Sequence, residues 1–391
     1  MSGLGFDPGF VAAGGEGPWI RTEDGRLVLD GLSGEGICTF GRRPPALVAA
    51  LAEALDGTDQ GNFPMISREK AAFAAALAAW APGDLEGALF AVMRGEALDG
   101  ALKVARGHTG RATLVTVDGG WYGETGFALS LSDRPGREAF GPLLPQTRTV
   151  PFGDLAAAET ELARGAAAFV LEPLQAENRC REAEPRYLQG LRELCNRHGA
   201  LLVLDETWTG LGRTGRPLAC ERAGIIPDIL VLGEALGAGL FPIAAALLRR
   251  GVKRFLDRHP LIHLSTFGGS DLGCRVGVAV LEAHAMRRPW ERAAVTGAAL
   301  REGLEVLRSR RPGALGSVSG RGLLLSLDLG SPERALAFCR AAADRDLLVR
   351  PQRVARAAVL LAPPLTLEPP EQEALLARVE GALDATDGGA R

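Results

Sequence analysis

The sequence predicts an α/β fold, with a large domain on a mainly parallel sheet and a smaller α+β domain after it. Three observations carry this. Short apolar runs of strand length, such as Leu201-Leu202-Val203-Leu204 and Ile229-Leu230-Val231-Leu232, alternate with segments of helical period. Those runs end in acids, at Asp205-Glu206 and Gly233-Glu234, where open α/β sheets place their ligands. The length, 391 residues, is enough for two domains. The expected division is a segment 1–44 that packs with the small domain, a large domain 45–286, and a small C-terminal domain 287–391. No internal repeat or low-complexity linker interrupts it.

In chain order, Asp24-Gly25 between two alternating apolar runs signals a hairpin. Pro44-Pro45 starts a helix through about Leu55, because proline suits a first helical turn. Residues 67–81 form an Ala-rich helix. Residues 88–106 read as strand, turn and helix, and a glycine-containing turn into a helix N-terminus is an anion site in principle. Residues 113–117 form a strand that runs into Asp118-Gly119-Gly120-Trp121-Tyr122-Gly123. Residues 124–165 read as loop-rich, punctuated by Pro135-Gly136 and Gly141-Pro142. A buried strand over 167–171 ends in Glu172-Pro173-Leu174-Gln175. Leu188, Leu191, Leu194 and Cys195 form one stripe of a helix over 187–198. The strands at 201 and 229 follow, then a third run over 242–248. A long helix over 289–307 crosses into the smaller domain. A strand pair over 318–329, the run 359–365 and a helix after Glu371 complete it.

Composition excludes several functions. The net charge of -3 argues against a polyanion partner or a membrane surface. No run of about 18 apolar residues predicts a membrane span. The N-terminus MSGLGFDPGF lacks the basic and apolar regions of a secretory signal. The six cysteines are scattered, with no metal-ligand pair, so no metal is expected and reduced thiols in the cytoplasm are. Among 44 basic residues the only lysines are Lys70, Lys103 and Lys253, so few amines can form an imine.

The stretch 201–248 resembles class III aminotransferases, which are fold type I pyridoxal phosphate enzymes. The residues that carry the resemblance are Asp205-Glu206, Thr209-Gly210, Gly212-Arg213-Thr214-Gly215, and Gly233-Glu234-Ala235-Leu236-Gly237-Ala238-Gly239. The last motif places Glu234 where the family has its cofactor-linking lysine. Elsewhere Trp121 takes the place of the aromatic that stacks on the pyridine ring, and Tyr122 that of a histidine. Gln175 closes a Glu-Pro-x-x-Gln motif. Met93-Arg94-Gly95-Glu96-Ala97 replaces the Ser-Gly-Ala-Glu-Ala turn that cups the cofactor phosphate. Thr266, in Thr-Phe-Gly-Gly, matches a residue that reaches the neighbouring subunit's phosphate and so implies a homodimer with shared sites. Leu360 stands where an arginine often binds a substrate carboxylate. The resemblance covers roughly residues 17–383.

A pyridoxal enzyme needs a lysine, a carboxylate on the pyridinium nitrogen, a phosphate cup and an aromatic on the ring. The expected cofactor-binding residues are Asp205, Trp121, Thr266, Arg94, Gly95 and Gln175, and the expected substrate residues are Tyr122, Trp208 and Arg213, although in the family the last is largely structural. Arg94 is either an anion holder or a solvated surface residue. None of the three lysines is placed to replace the missing one. Two carboxylates, Asp205 and Glu234, need a cation near them, either a ligand or an arginine, and Arg213 is the nearest in a matched motif. Two readings stay open. One is an enzyme acting on a small amine or amino-acid-derived metabolite, with Glu234 as acid or base and pyridoxal or pyridoxamine phosphate non-covalent or absent. The other is a non-catalytic homologue acting as scaffold or regulatory partner. An ordinary aminotransferase carrying one introduced change is disfavoured, because Met93, Arg94, Pro44 and Leu360 also depart from the pattern. An enzyme should present convergent polar groups and a shifted carboxylate; a scaffold should have its cleft filled by Met93 and Trp208.

Overall fold

The computed structural model describes residues 5–60 and 65–388. The start of the N-terminal decapeptide and the end of the segment 287–391 therefore lie outside the described residues. Strands β1 (Ala12–Glu16), β2 (Trp19–Thr22) and β3 (Leu27–Asp30) form an antiparallel ribbon. The turn between β2 and β3 carries Gly25 at φ 85°, a backbone state that glycine adopts without steric cost.

Strands β4 (Leu85–Ala91), β5 (Leu114–Val117), β6 (Thr147–Val150) and β7 (Ala168–Leu171) come next. A short ribbon of β8 (Leu174–Gln175) and β9 (Arg181–Glu182) follows. Strands β10 (Leu201–Asp205), β11 (Ile229–Leu232) and β12 (Ala244–Arg249) then complete a seven-stranded sheet in the order β4-β12-β11-β10-β7-β5-β6. Its pairings are parallel except for those of β12, which runs against both neighbours. The sheet is therefore mainly parallel, as the continuous apolar runs require.

Side-chain alternation divides the core between the two faces of this sheet. Leu202, Leu204, Leu230 and Leu232 face one cluster with Leu188, Leu191 and Leu194 of the helix Pro185–His198. Val203, Val231, Ala244 and Ala246 face another with Ala97, Leu98, Ala101 and Leu102 of the helix Arg94–Thr109. Asp205 has the parity of Val203, so it emerges on the side of the Arg94–Thr109 helix.

The helix Pro289–Arg310 leads into a second sheet. Strands β13 (Ser317–Arg321) and β14 (Leu324–Asp328) form its hairpin. Strand β15 (Leu347–Leu348) leaves to pair with β3, while β16 (Arg350–Pro351) and β17 (Ala358–Leu361) give the order β13-β14-β17-β16. Leu29 of the N-terminal ribbon lies in the same apolar cluster as Leu300, Leu325 and Phe338.

Two expectations change. Residues 124–165 hold more than loop: the helix Gly126–Leu131, strand β6 and the helix Leu155–Ala163 lie among them. β6 is a four-residue edge strand, partly exposed, so its sequence carries little apolar signal. The last helix, Pro369–Gly388, starts before Glu371, because Pro369 and Pro370 are accommodated in its first turn.

Candidate active site

The C-terminal ends of β10 and β11 lie side by side, with Asp205 opposite Val231. Alternation sends Asp205 and Glu206 to opposite sides. Glu206 is fully buried and accepts the N–H groups of Ala219 (2.7 Å) and Cys220 (2.8 Å) and the Thr209 hydroxyl (2.9 Å). It fastens the following loop and takes no part in the cleft. Asp205 accepts the Thr207 N–H on Oδ1 at 2.9 Å, which leaves Oδ2 for the helix above. The two strand ends meet closely there: a Cβ on Gly233 would stand 2.2 Å from Thr207 Cγ2, so only glycine fits.

Arg94 is the first residue of the helix Arg94–Thr109 and is almost wholly buried. Its guanidinium folds back over the sheet ends. Nη2 donates to Asp205 Oδ2 at 2.9 Å and to the Trp121 carbonyl at 2.9 Å. Its Cζ lies 4.5 Å from the centroid of the Trp121 ring, in cation–π range. Burial opposes the charge on Arg94, but the carboxylates facing it, Asp205 first, outweigh it and hold the pKa above the usual arginine value. Behind Trp121, Glu172 accepts the Trp121 N–H at 3.0 Å and leaves its other oxygen unpaired. Burial, and then the charge of Asp205, push Glu172 well above the carboxylate range, so it holds its proton.

Glu234 opens the turn Glu234–Gly237 and is half-buried. Its Oε1 accepts the backbone N–H of Arg94 at 2.8 Å, so a carboxylate sits at the positive end of a 16-residue helix. Backbone and side chain of Arg94 thus engage both carboxylates.

A second charged cluster borders this one. Arg350 is fully buried and donates to both oxygens of Glu177 (2.6 and 3.0 Å) and of Glu35 (2.7 Å each). Arg353 reaches Glu177 at 2.6 Å and Glu35 at 3.1 Å, and its Cζ also lies 4.5 Å from the Trp121 ring. Burial disfavours the Glu177 carboxylate, but Arg350 and Arg353 overcome that and bring its pKa down to about 2. The same two arginines lower Glu35 against its burial. The cleft left between the clusters has a volume of about 140 Å³. Glu35, Arg94, Trp121, Trp208, Glu234 and Arg353 are among its walls. None of Lys70, Lys103 and Lys253 lines it. Among the described residues no cluster of histidine, cysteine and carboxylate side chains could hold a metal ion.

The site brings together Asp205, Trp121, Arg94, Trp208 and Glu234. It places the other expected residues elsewhere. Arg94 is neither an anion holder nor a surface residue: it supplies the cation beside Asp205, the part foreseen for Arg213 or a ligand. Arg213 is a structural cation, donating to the carbonyls of Leu323 (3.1 Å) and Pro363 and to Ser33, with burial pushing its pKa down to about 10. Tyr122 cannot touch a substrate, because its hydroxyl is fully buried against Thr116 at 2.8 Å. Gln175 is buried in a separate network, donating to the Asp118 carbonyl and accepting from Arg181. Gly95 packs under Thr125, where a Cβ would meet the hydroxyl at 2.7 Å, so its small size serves packing. Thr266 is exposed on the loop before the helix Asp271–Arg287, and within one chain nothing carries it to Asp205. Met93 is exposed and does not fill the cleft, whereas Trp208 packs on Gly36 and narrows it.

Sequence reasoning missed Glu35, Glu177, Arg350 and Arg353. The one local signal was the spacing of Arg350 and Arg353 beside a strand end; their acids come from distant parts of the chain.

The profile described as aminotransferase class-III matches residues 7–383. An uncharacterized aminotransferase of Archaeoglobus fulgidus is 40% identical over 308 residues, covering 79% of this chain and 72% of the relative. The putrescine aminotransferase of Pectobacterium atrosepticum is 34% identical over 365 residues, 91% of this chain and 78% of its own. Among solved structures, the ornithine aminotransferase of Toxoplasma gondii superposes with a TM-score of 0.92 at 28% identity, covering 98% of this chain and 93% of that one. An amine transaminase from an uncultivated Pseudomonas species, in its PLP-bound internal aldimine form, gives 0.89 at 26% identity, with 98% of each chain covered.

Proposed function

The chain belongs to the class-III aminotransferase family, and from that premise we propose that it is a member working without imine chemistry: Glu234 stands in the lysine's place, and the cleft binds a small cationic metabolite, an amine or amino-acid derivative. The carrying observation is the charge pairing. Asp205 is matched by Arg94, and Glu35 and Glu177 by Arg350 and Arg353. Of the carboxylates that line the cleft, Glu234 is then the one with no ion pair of its own among the described residues. A half-buried carboxylate in that position favours a cation. Its Oε1 is held by the Arg94 N–H, so Oε2 is the atom left to meet the ligand's ammonium and to act as acid or base toward it.

Pyridoxal phosphate does not fit the residues present. Asp205 and Trp121, the two groups that would hold its ring, are both engaged by Arg94. The cleft that remains beside them is about 140 Å³. No step is assigned to that cofactor.

A homodimer is part of this reading. Leu261, Ile262, Leu264 and Phe267 are exposed on the loop that carries Thr266, an apolar surface suited to a second copy. A reducing, cytoplasmic setting agrees with six free, buried cysteines.

The test is calorimetry with short alkylammonium ions and putrescine. The reading expects saturable binding to the wild type and at least about tenfold weaker binding to Glu234→Gln, the worth of a charge-assisted hydrogen bond. Equal binding by both proteins would refute it. The internal pairing of Arg94 and the closure by Trp208 favour a second reading, a non-catalytic homologue acting as scaffold or regulatory partner. In that case no ammonium ion binds.

A further inference from the structure

We infer that Arg94 is a built-in replacement for a cofactor ring, its guanidinium seated in the Asp205–Trp121 slot and closing it to any planar cation from solution. The inference deepens the reading that the chain works without pyridoxal phosphate and rests on it. The slot offers three recognition elements. These are a buried carboxylate oxygen at the end of β10, the face of an indole, and the Trp121 carbonyl. One flat cation engages all three, with Asp205 Oδ2 at 2.9 Å, the ring centroid at 4.5 Å and the carbonyl at 2.9 Å. Guanidinium shares with pyridinium what such a slot selects, a planar delocalised cation with N–H donors at its edge.

The anion side is closed by Glu234. A bound cofactor would also bring an anion to the N-terminus of the Arg94–Thr109 helix. The Glu234 carboxylate already accepts the first N–H there, at 2.8 Å. Arg94 and Glu234 together therefore present, inside the chain, a cation in the ring slot and an anion at the helix end. Met93, the residue before Arg94, is exposed and takes no part in this closure.

It follows that deleting the guanidinium leaves an empty slot around a buried carboxylate. Such a slot takes a planar cation from solution. Arg94→Ala should bind methylguanidinium saturably, with a rise in melting temperature, while the wild type binds it at least about tenfold more weakly. Arg94→Ala combined with Asp205→Asn should lose that binding. A folded Arg94→Ala that binds no methylguanidinium, or a wild type that binds it equally well, would overturn the inference. If Arg94→Ala does not fold alone, it should refold in methylguanidinium; failure to recover counts equally against the proposal.

A second readout separates this closure from the absence of a lysine. Glu234→Lys alone should give no borohydride-stable label with pyridoxal phosphate, because Arg94 still fills the slot. Glu234→Lys with Arg94→Ser should give one. A label on Glu234→Lys alone refutes the closure by Arg94 and leaves the lysine-free reading of the wild type standing. A label on the wild type refutes that reading itself.

Discussion

Replacing Arg350 with methionine should destabilise the protein by about 3 kcal/mol at neutral pH and make the deficit shrink in acid. Arg350 is fully buried between Glu177 and Glu35, with four contacts between 2.6 and 3.0 Å. Removing one partner of a buried pair costs about 3–5 kcal/mol. The lower end applies, because Arg353 still reaches Glu177 at 2.6 Å. The depressed pKa gives the same size. Glu177 falls from 4.5 to about 2, and at 1.36 kcal/mol per unit that is about 3 kcal/mol. A depressed carboxylate contributes stability fully above its unfolded pKa of 4.5 and loses it as pH falls toward 2. At pH 3.5 about 2 kcal/mol of the contribution remains by the same linkage. Urea unfolding of both proteins at pH 7 and pH 3.5, compared at equal slope, measures the two gaps. A gap below about 1 kcal/mol at pH 7, or one that widens in acid, would refute the reasoning.

Three smaller changes test neighbouring groups. Glu172→Gln should alter the melting temperature little, within about 1 kcal/mol, because burial and Asp205 already keep that side chain protonated; a loss of several kcal/mol would mean it is ionised. Tyr122→Phe should cost about 1 kcal/mol for the lost bond to Thr116 and leave alkylammonium binding unchanged. A change in binding would bring Tyr122 back into the cleft. Sedimentation should give a dimer for the wild type and a monomer after Phe267→Asp with Leu264→Asp, since a charge in an apolar contact is costly; a wild-type monomer would remove Thr266 from any site.

The sheet was legible in the sequence because buried parallel strands must be apolar along their whole length. Runs such as 229–232 therefore stand out, whereas the partly exposed edge strand β6 does not. The acids at strand ends were legible for the same reason: a charge directly after a buried run sits at the sheet's edge. Arg94 was visible as a departure, but its direction was not. Only the alternation along β10, combined with the seat of the Arg94–Thr109 helix on that face, turns its side chain toward Asp205. The cluster of Glu35, Glu177, Arg350 and Arg353 was hidden because it joins three distant segments, and no local spacing encodes such a meeting. Gln175 and Tyr122 misled because motif position fixes where the backbone goes. The side chains take whichever hydrogen-bond partners the packed core offers.

Whether the chain fills its own cofactor slot is tested most directly by an absorbance titration of the purified wild type. Pyridoxal phosphate and pyridoxamine phosphate are each added, the mixture is treated with borohydride, and the protein is desalted. A filled slot leaves no retained band and no covalent label with either form. A stoichiometric band that survives desalting, or cofactor trapped on Lys70, Lys103 or Lys253, would contradict it.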